Sequence, residues 1–152
     1  MLYNVTAKSK HGVVFRKTDT KFSYNGWPTV CLTDDGTLVS VFSGFRAQHI
    51  CPFGKTVACI SRDGGEKWSM PIIINDTPLD DRDAGIVNIG NGRLLVTWFC
   101  HPAKAYEHEY INYIKSSLEP AEAAESLAKI MGYQYLNAEQ RHGGSFIRVS
   151  DD

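Results

Sequence analysis

Apolar positions along this chain fall into short clusters separated by turn residues. Residues 28–32, 38–42, 56–60 and 72–74 are rich in Val, Ile, Leu, Phe and Cys, and each is too short for a helix. Asp34-Asp35-Gly36 is a tight-turn signal between the first two clusters. A polar connection, residues 61–68, joins the third to the fourth. The pattern predicts a four-stranded antiparallel meander. It then restarts: residues 85–88 and 93–99 flank Gly90-Asn91-Gly92, a hairpin turn, and residues 146–149 form a third strand. Residues 12–16 read as one further strand. The run from Leu94 to Phe99 is apolar on both faces, so its sheet is expected to be covered on both sides.

Between Cys100 and Gly144 the period changes to that of a helix. Tyr106, Tyr110 and Tyr113 share one helical face. Pro120 is placed to open a second helix, Gly132 to stop it, and Ala124, Leu127 and Met131 form its apolar side. Glu125 and Lys129 make an i,i+4 pair on it. Three uses of this segment stay open: a hairpin packed on the sheets, a lid over a site, or a subunit contact.

Composition narrows the function classes. A chain of 152 residues builds one ordinary core. A formal net charge of −1 argues against nucleic acid or an anionic membrane as partner through bulk charge. No run approaches the roughly 18 apolar residues of a membrane span. The first ten residues lack the apolar core of a signal peptide, which points to a cytoplasmic location. Cys31, Cys51, Cys59 and Cys100 lack C-x-x-C spacing and read as reduced, buried thiols. No phosphate-loop, dinucleotide or H-E-x-x-H motif is present, so neither cofactor nor metal is expected.

Ser61-Arg62-Asp63-Gly64-Gly65-Glu66-Lys67-Trp68 holds the most information. Asp63 is placed to accept hydrogen bonds from nearby backbone N–H groups. Gly64 and Gly65 supply positive φ, and Trp68 buries its ring beneath the turn. These residues spell S-x-D-x-G-x-x-W, and the chain resembles the sialidase (neuraminidase) superfamily of BNR or Asp-box β-propellers. In that family the box is a structural turn opposite the sugar site, so Ser61, Asp63, Gly65 and Trp68 are expected to be structural. The resemblance implies an all-β fold: a partial β-propeller of about two four-stranded antiparallel blades with a helical insertion in the second. Blade one spans about 27–75, blade two about 84–152, and the insertion about 103–142. Ser150-Asp151-Asp152 opens like a second box and stops, which implies a fragment cut in mid-repeat.

Strand direction in a meander then sorts the connections. The turns at 34–36, 61–68 and 90–92 share one end of the sheets. Connections 44–55, 76–83 and the one beginning at Cys100-His101 share the other, where the family places its site. Arg46, His49, Lys55, Asp80, Asp81, Arg82, Asp83 and His101 lie there. The resemblance implies a glycoside hydrolase acting on a glycan, or a glycan lyase; a sialidase of this family has arginines for a sugar carboxylate, an acid/base carboxylate and a Tyr/Glu nucleophile pair. The chain departs from that pattern. Gly26-Trp27-Pro28 stands where the family has an arginine motif, and loop 44–54 contains no carboxylate. His49 and Asp83 are therefore the catalytic candidates, since an imidazole titrates near neutral pH. Arg46, Arg82, Asp81 and His101 are the substrate-binding candidates. Equally open for Asp81, Arg82 and Asp83 is an internal network that merely fixes the loop. Asp76-Thr77-Pro78 reads as a turn and His142-Gly143-Gly144 as a loop. A fragment is expected to be inactive alone. The alternatives are a propeller that binds glycan or protein without catalysis, and a truncated product with no role of its own. An open blade face would serve self-association.

Overall fold

A computed structural model describes residues 9–18 and 20–150. Two antiparallel sheets form the frame. The first has strand order β1-β2-β3-β4: β1 (Tyr24–Leu32), β2 (Leu38–Arg46), β3 (Lys55–Ser61) and β4 (Ile72–Asn75). The second has order β5-β6-β7: β5 (Asp81–Gly90), β6 (Arg93–Cys100) and β7 (Gly144–Val149). All seven strands lie on the expected apolar clusters and run longer than them, because ladder pairing extends through polar residues that carry no hydrophobic signal. Residues 12–16 are not a strand. Phe15 there stacks on Phe42 at 6.1 Å and meets the edge of Phe45 at 6.0 Å, so side-chain packing holds the segment in place of a ladder.

The sheets meet face to face, with β5 against β1, β2 and β3. Val39, Val41 and Ala58 of the first sheet share one core with Ala84, Val96 and Trp98 of the second. On the first sheet's other face, Phe42, Val57 and Cys59 are covered by Val14, Phe15, Phe45 and Trp68. That cover explains why β2 is buried along almost its whole length although its side chains alternate. The second sheet keeps Val87, Ile89 and Ile147 exposed.

The two sheets repeat one another in register. In β1 an extra residue bulges between the pairs Gly26–Ser43 and Thr29–Val41. In β5 the same bulge lies between Arg82–Phe99 and Gly85–Thr97. Trp27 and Asp83 occupy the bulges, both with left-handed φ, 54° and 49°. Leu38 faces Ser61 in the first sheet, and Leu94 accepts the Ser150 N–H in the second. Asp151 and Asp152 lie outside the described residues, so the rest of the expected second box is not in view.

The segment between β6 and β7 is helical, as its period predicts. A single π-helical turn (Ala105–Glu109) leads into α1 (Ile111–Ser117), α2 (Pro120–Gly132) and α3 (Ala138–Arg141). Pro120 opens α2 as expected, but its buried face is Ala123, Ser126 and Ile130. Ala124 is exposed and Met131 is 69% exposed. Ser126 is the reason: a buried hydroxyl gives no hydrophobic signal, so the apolar pattern points to the wrong side. Glu125 pairs with Lys21 instead of Lys129, whose ammonium lies 4.7 Å from the Phe53 ring. Tyr106 is fully buried and Tyr110 packs on it at 5.3 Å, while Tyr113 is turned outward. The segment packs into the shared core through Ala103, Tyr106, Ile114, Ile130 and Tyr133.

Candidate functional site

The two ends of the sheets carry different chemistry. At the turn end, Ser61 Oγ donates to Asp63 Oδ1 at 2.9 Å and accepts the Gly65 N–H at 2.9 Å. Asp63 Oδ1 also accepts the Lys67 N–H at 2.9 Å, and Trp68 Nε1 donates to the Gly65 carbonyl at 3.1 Å. Gly64 and Gly65 take φ of 73° and 94°, as the turn requires. The hydrogen bonds to Asp63, led by the Lys67 N–H, hold its carboxyl below the usual range. Its Oδ1 serves the turn. Asp34 links the sheets at this end, accepting from Asn88 Nδ2 at 2.8 Å and the Gly92 N–H at 3.1 Å.

At the loop end the connections 47–54 and 76–80 converge with the start of β1, the end of β2, the start of β5 and the end of β6. Asp80 is the hub. Its Oδ1 accepts from Arg46 Nη1 at 2.6 Å; its Oδ2 accepts from Arg46 Nη2 at 2.8 Å, from Tyr106 Oη at 2.7 Å and from the Cys51 N–H at 3.2 Å. Arg46 and Asp80 are both wholly buried. Burial works against the Arg46 charge, but the Asp80 carboxylate outweighs it and raises the pKa above the ordinary arginine value. Arg46, expected to face substrate, is instead a buried structural cation. Its Nη2 also donates to the His49 carbonyl at 2.7 Å and so shapes the loop. Gly54 sits where any Cβ would collide with Arg46 and Asp80, and its carbonyl accepts the Asp81 N–H at 3.1 Å.

Asp81 also turns inward. It accepts from the Thr77 N–H at 2.7 Å, Thr77 Oγ1 at 2.9 Å and Cys100 Sγ at 3.1 Å. Burial raises its pKa against those hydrogen bonds, and burial together with Asp81 pushes the Cys100 thiol up. Asp81, a substrate-binding candidate, thus belongs to the loop network. Asp76-Thr77-Pro78 is the expected turn, and His142-Gly143-Gly144 brings Gly143 against Pro102 and the Cys100 carbonyl on the way into β7.

Arg82 differs from Arg46. Its guanidinium carbon lies 5.6 Å from the Trp27 ring and 5.7 Å from the Phe99 ring. Its nearest carboxylate oxygen, Asp80 Oδ2, is 4.0 Å from Nη1. Nη2 is 3.3 Å from His49 Nε2; buried Nε has no partner, a state it shares with Arg46 Nε. Because arginine only donates, this contact makes His49 Nε2 an acceptor and places the imidazole proton on Nδ1. His49 is exposed and tilts against Trp27 at 5.1 Å. His101 packs on Phe99 at 5.2 Å, and its Nε2 is 3.3 Å from Tyr110 Oη. Burial, reinforced by Arg82, depresses the His101 pKa. Asp83 is exposed, and its N–H donates to Ser43 Oγ at 2.8 Å.

The structure therefore gathers Arg82, His49 and His101 around Trp27 and Phe99, with Asp83 beside Arg82 on the β5 bulge. Sequence reasoning missed Trp27, Phe99, Tyr106 and Tyr110 as parts of this cluster. The one signal for Trp27 was its place before Pro28 at the head of a strand. Among the described residues, non-glycine positive φ marks the same end in the structure: Trp27, Phe45 and Asp83 lie here, and Asn91 at the turn end. Apolar concavities of about 250 Å³ and 330 Å³ lie elsewhere, beneath Val14 and Phe15 and between Phe22, Phe45 and Phe53. Among the described residues no group of three or more His, Cys, Asp or Glu is placed to hold a metal ion. No described helix is long and apolar enough to cross a membrane. In comparisons with known proteins, no family model and no curated protein matches this chain.

Proposed function

We propose that this protein carries a sialidase-like glycan site of the glycoside hydrolase kind, on blades of a β-propeller. The observation that carries the proposal is Arg82. It is a buried guanidinium lying against two aromatic rings, and unlike Arg46 it has no carboxylate within hydrogen-bonding distance. A buried cation in this state lacks a hydrogen-bonded anion. A sugar carboxylate offers two acceptors that match the guanidinium fork. Trp27 and Phe99 suit the apolar face of a sugar ring, and His49 and Asp83 are the exposed groups for proton transfer.

The stacking of the sheets supports the propeller frame. The first sheet turns Val39 and Val41 toward the second. By the shared register, Leu94 and Val96 correspond to Leu38 and Ser40, which point the other way from Val39 and Val41. Opposite faces of equivalent sheets therefore meet, as they do when one sheet is rotated onto the next about an axis. A two-fold sandwich would bring equivalent faces together.

Binding without turnover has its own support. Glycoside hydrolysis by the usual route needs two working carboxyl groups. Asp80 and Asp81 are buried and fully hydrogen-bonded, which leaves Asp83 as the exposed carboxylate beside Arg82. The chain on its own is therefore expected to bind an acidic glycan without cleaving it. Calorimetric titration with glucuronate-terminated, sialate-terminated and neutral oligosaccharides tests this, alongside Arg82→Ala, His49→Ala and Asp83→Ala. Loss of acidic-sugar binding in Arg82→Ala supports the site. Equal binding of acidic and neutral sugars, unchanged in Arg82→Ala, sinks it.

A further inference from the structure

The helical segment between β6 and β7 reaches the site through a hydroxyl that glycan binding by Arg82 leaves unused. Tyr106, on the π-helical turn, is fully buried and donates to Asp80 Oδ2 at 2.7 Å. That oxygen also accepts from Arg46 Nη2 at 2.8 Å and from the Cys51 N–H at 3.2 Å. Three donors thus crowd Oδ2, one more than its roughly two lone-pair directions, and a fourth finds no room beside them. Arg82 Nη1 waits 4.0 Å from the same oxygen, near enough for attraction and too far for a hydrogen bond. Two guanidinium groups thus stand beside one carboxylate. Arg46 holds it bidentately, and a tyrosine fills the place the second would take.

The same turn steadies the other side of Arg82. Tyr110 contacts His101 at a ring separation of 5.3 Å, His101 packs on Phe99, and Phe99 faces the Arg82 guanidinium. Tyr106 and Tyr110 are themselves in edge contact. The segment therefore meets Arg82 from two directions, through Asp80 and through Phe99.

We infer that Tyr106 is a positioning residue: by occupying Asp80 Oδ2 it denies that oxygen to Arg82 and keeps the Arg82 guanidinium free for the carboxylate of a sugar acid. This rests on the assignment of Arg82 as the anion-binding group. Without the tyrosine hydroxyl, Arg82 would pair with Asp80, and a ligand carboxylate would have to break that pair before binding.

Tyr106→Phe in the full chain tests this, because it removes only the hydroxyl. In its crystal structure the Arg82 Nη1 to Asp80 Oδ2 separation should close from 4.0 Å to hydrogen-bonding distance, about 2.7–3.2 Å. Affinity for glucuronate, read by calorimetry, should fall roughly tenfold, the size of one lost or broken charge contact of about 1.4 kcal/mol. An unmoved Arg82 overturns the inference, since a merely structural Tyr106 would lower the melting temperature and leave Arg82 in place. If the parent chain binds no glucuronate, the anion-binding assignment fails, and the Arg82 position in Tyr106→Phe still decides whether the hydroxyl holds the two apart. Should Tyr106→Phe not fold, Arg82→Ala decides. A folded Arg82→Ala with a melting temperature near the parent's is expected if Asp80 does not depend on Arg82. Loss of folding as complete as in Arg46→Ala would make Arg82 a true partner of Asp80 and overturn the inference.

Discussion

The two ends of the sheets solve the same problem, how to finish strands and satisfy backbone groups, with opposite means. At the turn end the hydrogen bonds of residues 61–67 close over two to four residues. At the loop end Arg46 reaches Asp80, 34 residues on, and Tyr106 reaches the same carboxylate from 26 residues beyond it. The turn end keeps Asp63 at the surface, where water shares the work. The loop end takes a full ion pair out of water, which costs several kcal/mol per ion unless every lone pair and proton is matched. The contrast suggests a division of labour. A local, solvated turn tolerates change; a buried, long-range network holds one loop arrangement and leaves Arg82 without a hydrogen-bonded carboxylate.

The contrast can be broken by mutation, and the largest effect should fall on the hub. Arg46→Ala leaves Asp80 buried without its bidentate partner and should destabilise by about 3–5 kcal/mol, read from urea unfolding. A smaller loss would mean the pair is more hydrated than its burial indicates. Next, Gly54→Ala places a methyl group against Arg46 and Asp80, and should cost about 1–3 kcal/mol with displacement of loop 47–54. Gly65→Ala probes the turn end. At φ 94° an alanine is strained by about 1–2 kcal/mol, and nothing nearer than Leu38 at 3.6 Å opposes its methyl group. If Gly65→Ala proves costlier than Arg46→Ala, the ends have been ranked wrongly.

The smallest effect is a pH dependence at His101. Its folded-state pKa lies below the ordinary value of 6.5, because burial and then Arg82 disfavour the imidazolium. The folded state thus binds the proton less readily than the unfolded state. The stability His101 contributes is complete above 6.5 and is lost as the pH falls from there through the folded value. His101→Gln should flatten that part of the stability profile, measured by melting temperature against pH. An unchanged profile would show that another group governs it.

Much of the frame was legible because it is local. Strand clusters, the Gly90-Asn91-Gly92 hairpin and the Ser61–Trp68 turn each depend on residues close in sequence, and each formed where expected. Pro120 and Gly132 bounded α2 for the same reason. The face of α2 was misread because Ser126 is buried, and residues 12–16 are held by the packing of Phe15 on Phe42 and Phe45 instead of by a ladder. At the site, residue types were legible and roles were not. Arg46 and Arg82 look alike in sequence, and only their distances from Asp80 separate a paired cation from one without a hydrogen-bonded carboxylate.

The sequence by itself determined where the strand centres lie and where α2 begins and ends, which connections share an end of the sheets, and how the Ser61–Trp68 turn satisfies its own backbone. Those features follow from periodicity, φ preference and hydrogen bonds between near neighbours. Tertiary structure alone decided which arginine pairs with Asp80, that Tyr106 would complete Asp80, and that Trp27 and Phe99 would lie against Arg82. These depend on groups distant in sequence competing for one carboxylate and one volume of space, a competition that exists only once the sheets and the helical segment have packed together.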